Sequence, residues 1–158
     1  MEKIQFRLAE ESDLELIVKA RLMLLEEDSG AMTETESASL YEKNKSFILA
    51  AINSKTYFAY LAFAGEEFAG TCSACLYSVL PGRKLPSCGN AYLQNMFVFP
   101  QYRRRGLGKK LVSLVIAHAR DMGYERITLH ATKKGRLLFE KCGFVEEQAS
   151  LSHMIYCD

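Results

Sequence analysis

Val98-Phe99-Pro100-Gln101-Tyr102-Arg103-Arg104-Arg105-Gly106-Leu107-Gly108-Lys109-Lys110-Leu111 reads as a strand that breaks at proline and re-enters a helix through two glycines. That order puts a helix N-terminus at the end of a strand. The first amides of a helix lack internal partners and carry the positive end of its dipole, so they attract phosphate oxygens, and glycine lets a ligand approach the main chain closely. A phosphorylated ligand is the expected guest. The segment is not a nucleotide P-loop, because GxxxxGK followed by Ser or Thr is absent, and Lys109 to Leu111 supplies no third glycine for GxGxxG. On the glycines alone, a plain turn with a solvated basic face reads equally well.

Upstream, Asn90 to Phe99 is an apolar strand, and downstream Gly106 to Met122 has helical periodicity ending at Gly123. Further back, Ile4 to Ala9 alternates as a half-buried strand, and Ser12-Asp13 caps a helix that carries Leu14, Ile17, Val18, Leu22 and Leu25. Thr33 with Glu36 forms a capping box for a second helix, whose apolar stripe is Leu40, Tyr41, Phe47, Ile48, Ala51 and Ile52. Thr56 to Ala64 and Phe68 to Leu80 make a hairpin across Gly65-Glu66-Glu67. The last third supplies a strand at Arg126 to Ala131, a helix at Leu137 to Lys141, and a terminal hairpin of Phe144 to Glu147 with Leu151 to Cys157. Two helices after the first strand, an antiparallel meander and a strand-helix-strand crossover predict an α/β (α+β) fold with helices on both faces of a mixed sheet.

The 158 residues suit one domain, 1–158, and 49% apolar with 25% charged residues is an ordinary globular profile. Twenty Lys and Arg against nineteen Asp and Glu leave a formal charge of +1, which provides no global field for nucleic acid or an anionic membrane. No apolar run approaches the ~20 residues of a membrane span, and the opening Met1-Glu2-Lys3 lacks a signal peptide's basic and apolar regions. A cytoplasmic protein is expected. The five cysteines form an odd set suited to free thiols. Cys72 and Cys75 make a CxxC without a second ligand pair, inside a strand-like run, so core packing is expected and no metal.

Arg103-x-x-Gly106-x-Gly108 after a strand ending in Val-x-Pro, followed by Phe139-Glu140-Lys141-Cys142-Gly143-Phe144, resembles the GNAT superfamily of acetyl-CoA-dependent acyltransferases. The resemblance covers essentially the whole chain. It implies a mostly antiparallel sheet of six to seven strands, splayed between the fourth and fifth. It implies that Arg103 to Lys109, including Arg104, Arg105, Gly106, Leu107 and Gly108, hold the CoA pyrophosphate, chiefly through main-chain amides. Arginine side chains would add charge, mainly toward the adenosine phosphates. By the same carry-over, backbone groups of Met96, Phe97 and Val98 pair with the pantetheine arm like an added strand, and Thr132 and Phe139 stand at positions that help to seat CoA. The resemblance also suggests a homodimer through the terminal strand.

Transfer to an amine requires a neutral nucleophile. For a group with pKa near 10.4, deprotonation at pH 7 costs roughly 4 to 5 kcal/mol, so a general base or water chain is useful. The positions at which family members often carry a base on the fourth strand are Tyr92 and Gln94, eleven and nine residues before Arg103. Neither is a strong base. They share one strand face, in the acceptor pocket, where they would order a water that takes the proton. Glu26, Glu27 and Asp28 are further candidates, with a solvated helix end as their plain alternative. Where many relatives carry a tyrosine that protonates the leaving sulfur, this chain has Phe139. Cys142 is read as a packing residue, His118 as exposed on the long helix, and His130 as a structural histidine within possible reach of the site. An asparagine and an alanine common in the family are replaced by Thr132 and Gly135.

The expected activity is transfer of acetyl from acetyl-CoA to a primary amine of a small molecule. One alternative is a catalytically degenerate domain that binds acetyl-CoA as a sensor or scaffold. Another, a nucleic-acid binder using Arg103 to Arg105, Lys109 and Lys110, is opposed by the balanced charge and the absence of a groove-reading element. The acceptor pocket is expected among the first two helices, Leu25 to Ala38, and the loop Leu80 to Gly89.

Overall fold

The structure is a computed structural model that describes residues 3–83, 86–147 and 154–156. Its elements run β1 (Ile4–Leu8), α1 (Leu14–Ser29), α2 (Glu34–Asn53), β2 (Tyr57–Ala64), β3 (Glu67–Ser78), β4 (Gly89–Val98), α3 (Leu107–Asp121), β5 (Arg126–Thr128) and α4 (Arg136–Lys141). Short 3-10 turns at Glu11–Asp13 and Pro100–Tyr102 lead into α1 and α3. Among the described residues the sheet has five strands in the order β1-β2-β3-β4-β5, all antiparallel except the β4–β5 pair.

Alternation along β2 separates two cores. Tyr57, Ala59 and Leu61 face α1 and α2 and pack with Leu14, Ile17, Val18, Ile48 and Ala51. Phe58, Ala62 and Ala64 turn to the other face, where Leu107, Leu111, Val112, Val115 and Ala119 of α3 cover them together with Phe139 of α4. Helices therefore lie on both faces, as expected. The three-residue spacing of Cys72 and Cys75 sends them to opposite faces, Cys72 with the α3 core and Cys75 with the α1–α2 core. One metal ion cannot take both from such a strand.

Among the described residues the expectation of six to seven strands is not met. Phe144 to Glu147 form no strand; Val145 is 89% exposed, and Glu146 and Glu147 pair instead with Arg136 and Arg126. The other half of that hairpin lies mostly outside the described residues. β5 is also shorter than the run to Ala131, because β4 and β5 pair only over Asn90–Tyr92 and Arg126–Thr128. Phe47, assigned to the apolar stripe of α2, is 58% exposed.

Local signals at the helix starts behave differently. Thr33 and Glu36 close their capping box, each accepting the other's backbone N–H, at 3.2 and 2.9 Å. Asp13 does not cap α1. Its carboxylate accepts the Glu10 N–H at 2.8 Å and both arms of the Arg7 guanidinium at 2.6 and 2.7 Å, tying β1 to the start of α1. The Arg7 hydrogen bond holds the Asp13 carboxyl below the usual carboxylate range despite its burial. A depressed folded-state pKa contributes stability above the unfolded value of about 3.9 and loses it as pH falls through the folded one. Because Arg7 is nearly half exposed, Asp13→Asn is expected to cost only about 1.5 kcal/mol at pH 7. Urea melts at pH 7 and pH 3 should find that gap narrowing in acid.

Candidate active site

The anion-site expectation rests on the start of α3, and the backbone there is suited to it. Gly106 precedes the helix at φ +81° with no side-chain cap, and a Cβ at that position would meet nothing within 4 Å. Arg104 is also left-handed, at φ +64°, and alternation of hand points successive amides into one concavity. The first intrahelical donor reaching back is Lys110, to the Gly106 carbonyl at 3.1 Å. The amides of Leu107, Gly108 and Lys109 precede it and have no helical partner. Leu107's side chain is core, 3% exposed, so its share in any site is main chain. Gly108 permits close packing, since a Cβ there would come within 3.2 Å of Leu138 and Met96. Arg104, Arg105, Lys109 and Lys110 are exposed, and none forms an ion pair among the described residues.

The Arg103 side chain has partners within the fold. Its Nε donates to the Val98 carbonyl at 2.7 Å, and Nη2 donates to Glu27 at the end of α1. Its guanidinium lies 5.6 Å from the Phe97 ring centroid. The side chain therefore fastens the end of β4 and the loop to α1 rather than reaching outward. Glu27, one of three acidic candidates for the proton, is engaged in the same fastening, while Glu26 lines a groove of about 410 Å³ between α1 and α2 with Lys19, Leu22 and Tyr41.

β4 carries the second half of the site. Ser73 pairs with Gln94 and Thr71 with Phe97, so Asn95 and Met96 stand opposite the single residue Cys72. This two-against-one bulge puts Asn95 in the left-handed region at φ +52°, with its Nδ2 donating to the Ile17 carbonyl at 3.3 Å. On the opposite edge, β5 accompanies β4 only as far as Tyr92. From Leu93 to Val98 that edge has no strand beside it among the described residues, leaving main-chain groups for an added extended segment. Met96 and Val98 pack toward the α3 core, and Phe97 is 2% exposed.

Tyr92 and Gln94 share a face with Ser73 and Cys75, as the strand period predicts. Gln94 Nε2 donates to Cys75 Sγ at 2.7 Å, and burial pushes the Cys75 thiol up, opposed in part by the nearby Arg21 charge. Tyr92 Oη lies 2.8 Å from His130 Nδ1. His130, expected as a structural histidine within reach of the site, stands two residues beyond Thr128, and Asn90 Nδ2 donates to Thr128 Oγ1 at 3.0 Å by the same diagonal step.

Three further candidates lie around α4. Thr132 Oγ1 accepts the Gly135 N–H at 3.1 Å, capping the turn into α4. Phe139 is 9% exposed in the α3 core, edge-on to Phe144. Cys142 packs against that core, and burial raises its thiol while Lys109 opposes the shift. His118 is not on the exposed side of α3. It packs 4.5 Å from Phe58, centroid to centroid, with Nδ1 3.3 Å from Tyr60 Oη. Among the described residues no three His, Cys, Asp or Glu side chains gather as a metal would require, and no helix is long and apolar enough to cross a membrane.

The chain is similar to known acetyltransferases in sequence and in fold. The chain is 27% identical over 88 residues to a glucosamine 6-phosphate N-acetyltransferase of Arabidopsis thaliana, covering 55% of this chain and 59% of that protein. It is 30% identical over 94 residues to glucosamine 6-phosphate N-acetyltransferase 1 of Oryza sativa subsp. japonica, covering 58% and 57%. The match thus spans less than two thirds of these relatives. A predicted acetyltransferase with acetyl-CoA from Clostridium acetobutylicum superposes with a TM-score of 0.84 at 19% identity, covering 96% of each chain, which speaks for the fold. The model of the acetyltransferase (GNAT) family matches residues 21–144, and the chain belongs to that family.

Proposed function

We propose that the protein is an acetyl-CoA-dependent N-acetyltransferase that moves acetyl to a primary amine of a small molecule, directly within a ternary complex. The observation that carries this reading is the uncapped, glycine-led start of α3 beside a β4 edge that, among the described residues, no strand covers beyond Tyr92. The amides of Arg104, Arg105, Gly106, Leu107, Gly108 and Lys109 would hold the pyrophosphate. Main-chain groups of Met96, Phe97 and Val98 would pair with the pantetheine arm. Acetyl-CoA, when bound, supplies the acetyl group as a thioester, and its thiolate is a tolerable leaving group. Tyr92 and Gln94 face the acceptor. Arg103 serves by fastening the cradle, and Thr132 and Phe139 by shaping the helix beneath it.

A second reading, a domain that binds acetyl-CoA without turnover, is favoured by Phe139, which offers no hydroxyl to protonate the departing sulfur. Calorimetric titration with acetyl-CoA followed by thiol release separates the two. The acceptor panel should include polyamines, amino acids, aminoglycosides, peptides and glucosamine 6-phosphate, the substrate named in the plant relatives. Binding with turnover on an amine is the expected result. Binding without turnover would favour the sensor, and no binding would overturn both. The same reading includes a cytoplasmic homodimer, in which a second copy covers the exposed Met154, Ile155 and Tyr156; sedimentation velocity checks the dimer.

A further inference from the structure

We infer that Tyr92 and His130 work as a proton-accepting couple, with His130 drawing the amine's proton through the Tyr92 hydroxyl and releasing it to solvent. This inference rests on the transferase reading above. Three observations carry it. The contact is a hydrogen bond of 2.8 Å between Tyr92 Oη and His130 Nδ1, with ring centroids 5.6 Å apart. It lies where the split opens: the β4–β5 ladder ends at Tyr92 and Thr128, and His130 stands one strand period further along, tied to β4 by this side-chain contact alone among the described residues. Finally, Tyr92 is half-buried whereas His130 is exposed, so the pair leads from the interior of the split to water.

The surroundings leave histidine as the group suited to the role. On the same face, β3 contributes Cys75 opposite Tyr92, and Tyr77 opposite Asn90. Burial pushes the Cys75 thiol up, away from use as a base at neutral pH, with the Arg21 charge from α1 opposing. β5 contributes Thr128 and Arg126, the latter paired with Glu147, and Lys133 and Lys134 follow His130 in the chain. No carboxylate forms an ion pair with His130 among the described residues.

With His130 neutral and its proton on Nε2, Tyr92 O–H donates to Nδ1. The acceptor enters as an ammonium. Its proton passes to Tyr92 Oη while the tyrosine's own proton passes to Nδ1, leaving a neutral amine and an imidazolium. The amine nitrogen then forms the C–N bond to the acetyl carbon, the C–S bond breaks, and the remaining extra proton on nitrogen goes to the thiolate, giving amide and free thiol. The imidazolium returns its proton to bulk water. Tyr92 is the catalytic residue in this scheme, since it touches the acceptor, and His130 is a positioning residue that acts through it.

The test is His130→Asn, in which Oδ1 can still accept from Tyr92 but cannot take up a proton, measured with the best amine of the panel. Expected is a fall in kcat of about 10²-fold, in the range of general-base losses, with the near-neutral limb of the pH profile abolished and calorimetric affinity for acetyl-CoA unchanged. Retained affinity also reports that the variant is folded. Tyr92→Phe should lose activity similarly, and the double variant should be no worse than the poorer single one, because the two residues form one path. A His130→Asn enzyme with unaltered kcat and pH profile, or losses that add independently, overturns the couple while leaving the transferase standing. If the unsubstituted protein binds acetyl-CoA yet releases no thiol with any amine, the transferase reading fails and the couple falls with it.

Discussion

Gly106→Glu is expected to weaken acetyl-CoA binding by roughly 10³-fold, about 4 kcal/mol, because juxtaposed like charges cost several kcal/mol where water is displaced. Gly106 is the last residue before α3, and its α-carbon faces open space. A carboxylate added there would project where the helix amides and dipole gather anions. Its φ of +81° also strains any side chain, so the charge effect must be isolated. Gly106→Ala provides that comparison. It carries the backbone penalty of about 1 kcal/mol without a charge, and it should retain most of the affinity. Calorimetry on the two variants gives the answer as a difference. If Glu and Ala bind acetyl-CoA alike, the pyrophosphate does not sit at this helix start, and the cofactor assignment to Arg104 through Lys109 is wrong.

The features visible in the sequence were those that neighbouring residues settle among themselves. Thr33 and Glu36 make their capping box within one helical turn, and Gly106 supplies the left-handed φ of +81° that opens α3. The long helix was read almost to its ends for the same reason. His118 was nevertheless misplaced, although Leu111, Val115 and His118 fall at i, i+4 and i+7 on one stripe and the first two are buried. Other features depend on partners distant in the chain. Arg103 reaches Glu27 across 76 positions and Tyr92 meets His130 across 38; no local pattern specifies either pairing. Asp13 shows competition between the two scales, since its carboxylate leaves the helix start to serve Arg7 and Glu10. Phe144 to Glu147 form no strand, because a short extended run needs a neighbouring strand before it becomes a ladder.

Asn95→Val is expected to destabilise the fold by about 3 kcal/mol, and the reason joins the β4 bulge to both cores. An ordinary residue in the left-handed region costs roughly 1–2 kcal/mol, and a β-branched one fares worse. Asparagine tolerates φ +52° and also returns a hydrogen bond to the Ile17 carbonyl of α1. Valine loses that bond as well, worth about 1 kcal/mol net. Asn95→Gly separates the contributions: glycine accepts the conformation and loses only the tie to α1, so a cost near 1 kcal/mol is expected from urea denaturation. The two variants should also divide in function. The bulge sets the register between Gln94, proposed to face the acceptor, and Phe97, on the stretch proposed for pantetheine. A strained valine would drive β4 toward regular pairing, and a one-residue slip there turns every following side chain to the other face. Acetyl-CoA affinity should therefore fall in Asn95→Val and survive in Asn95→Gly. Equal affinity in both would mean that the bulge is a packing feature of β3 and β4 with no part in holding the cofactor.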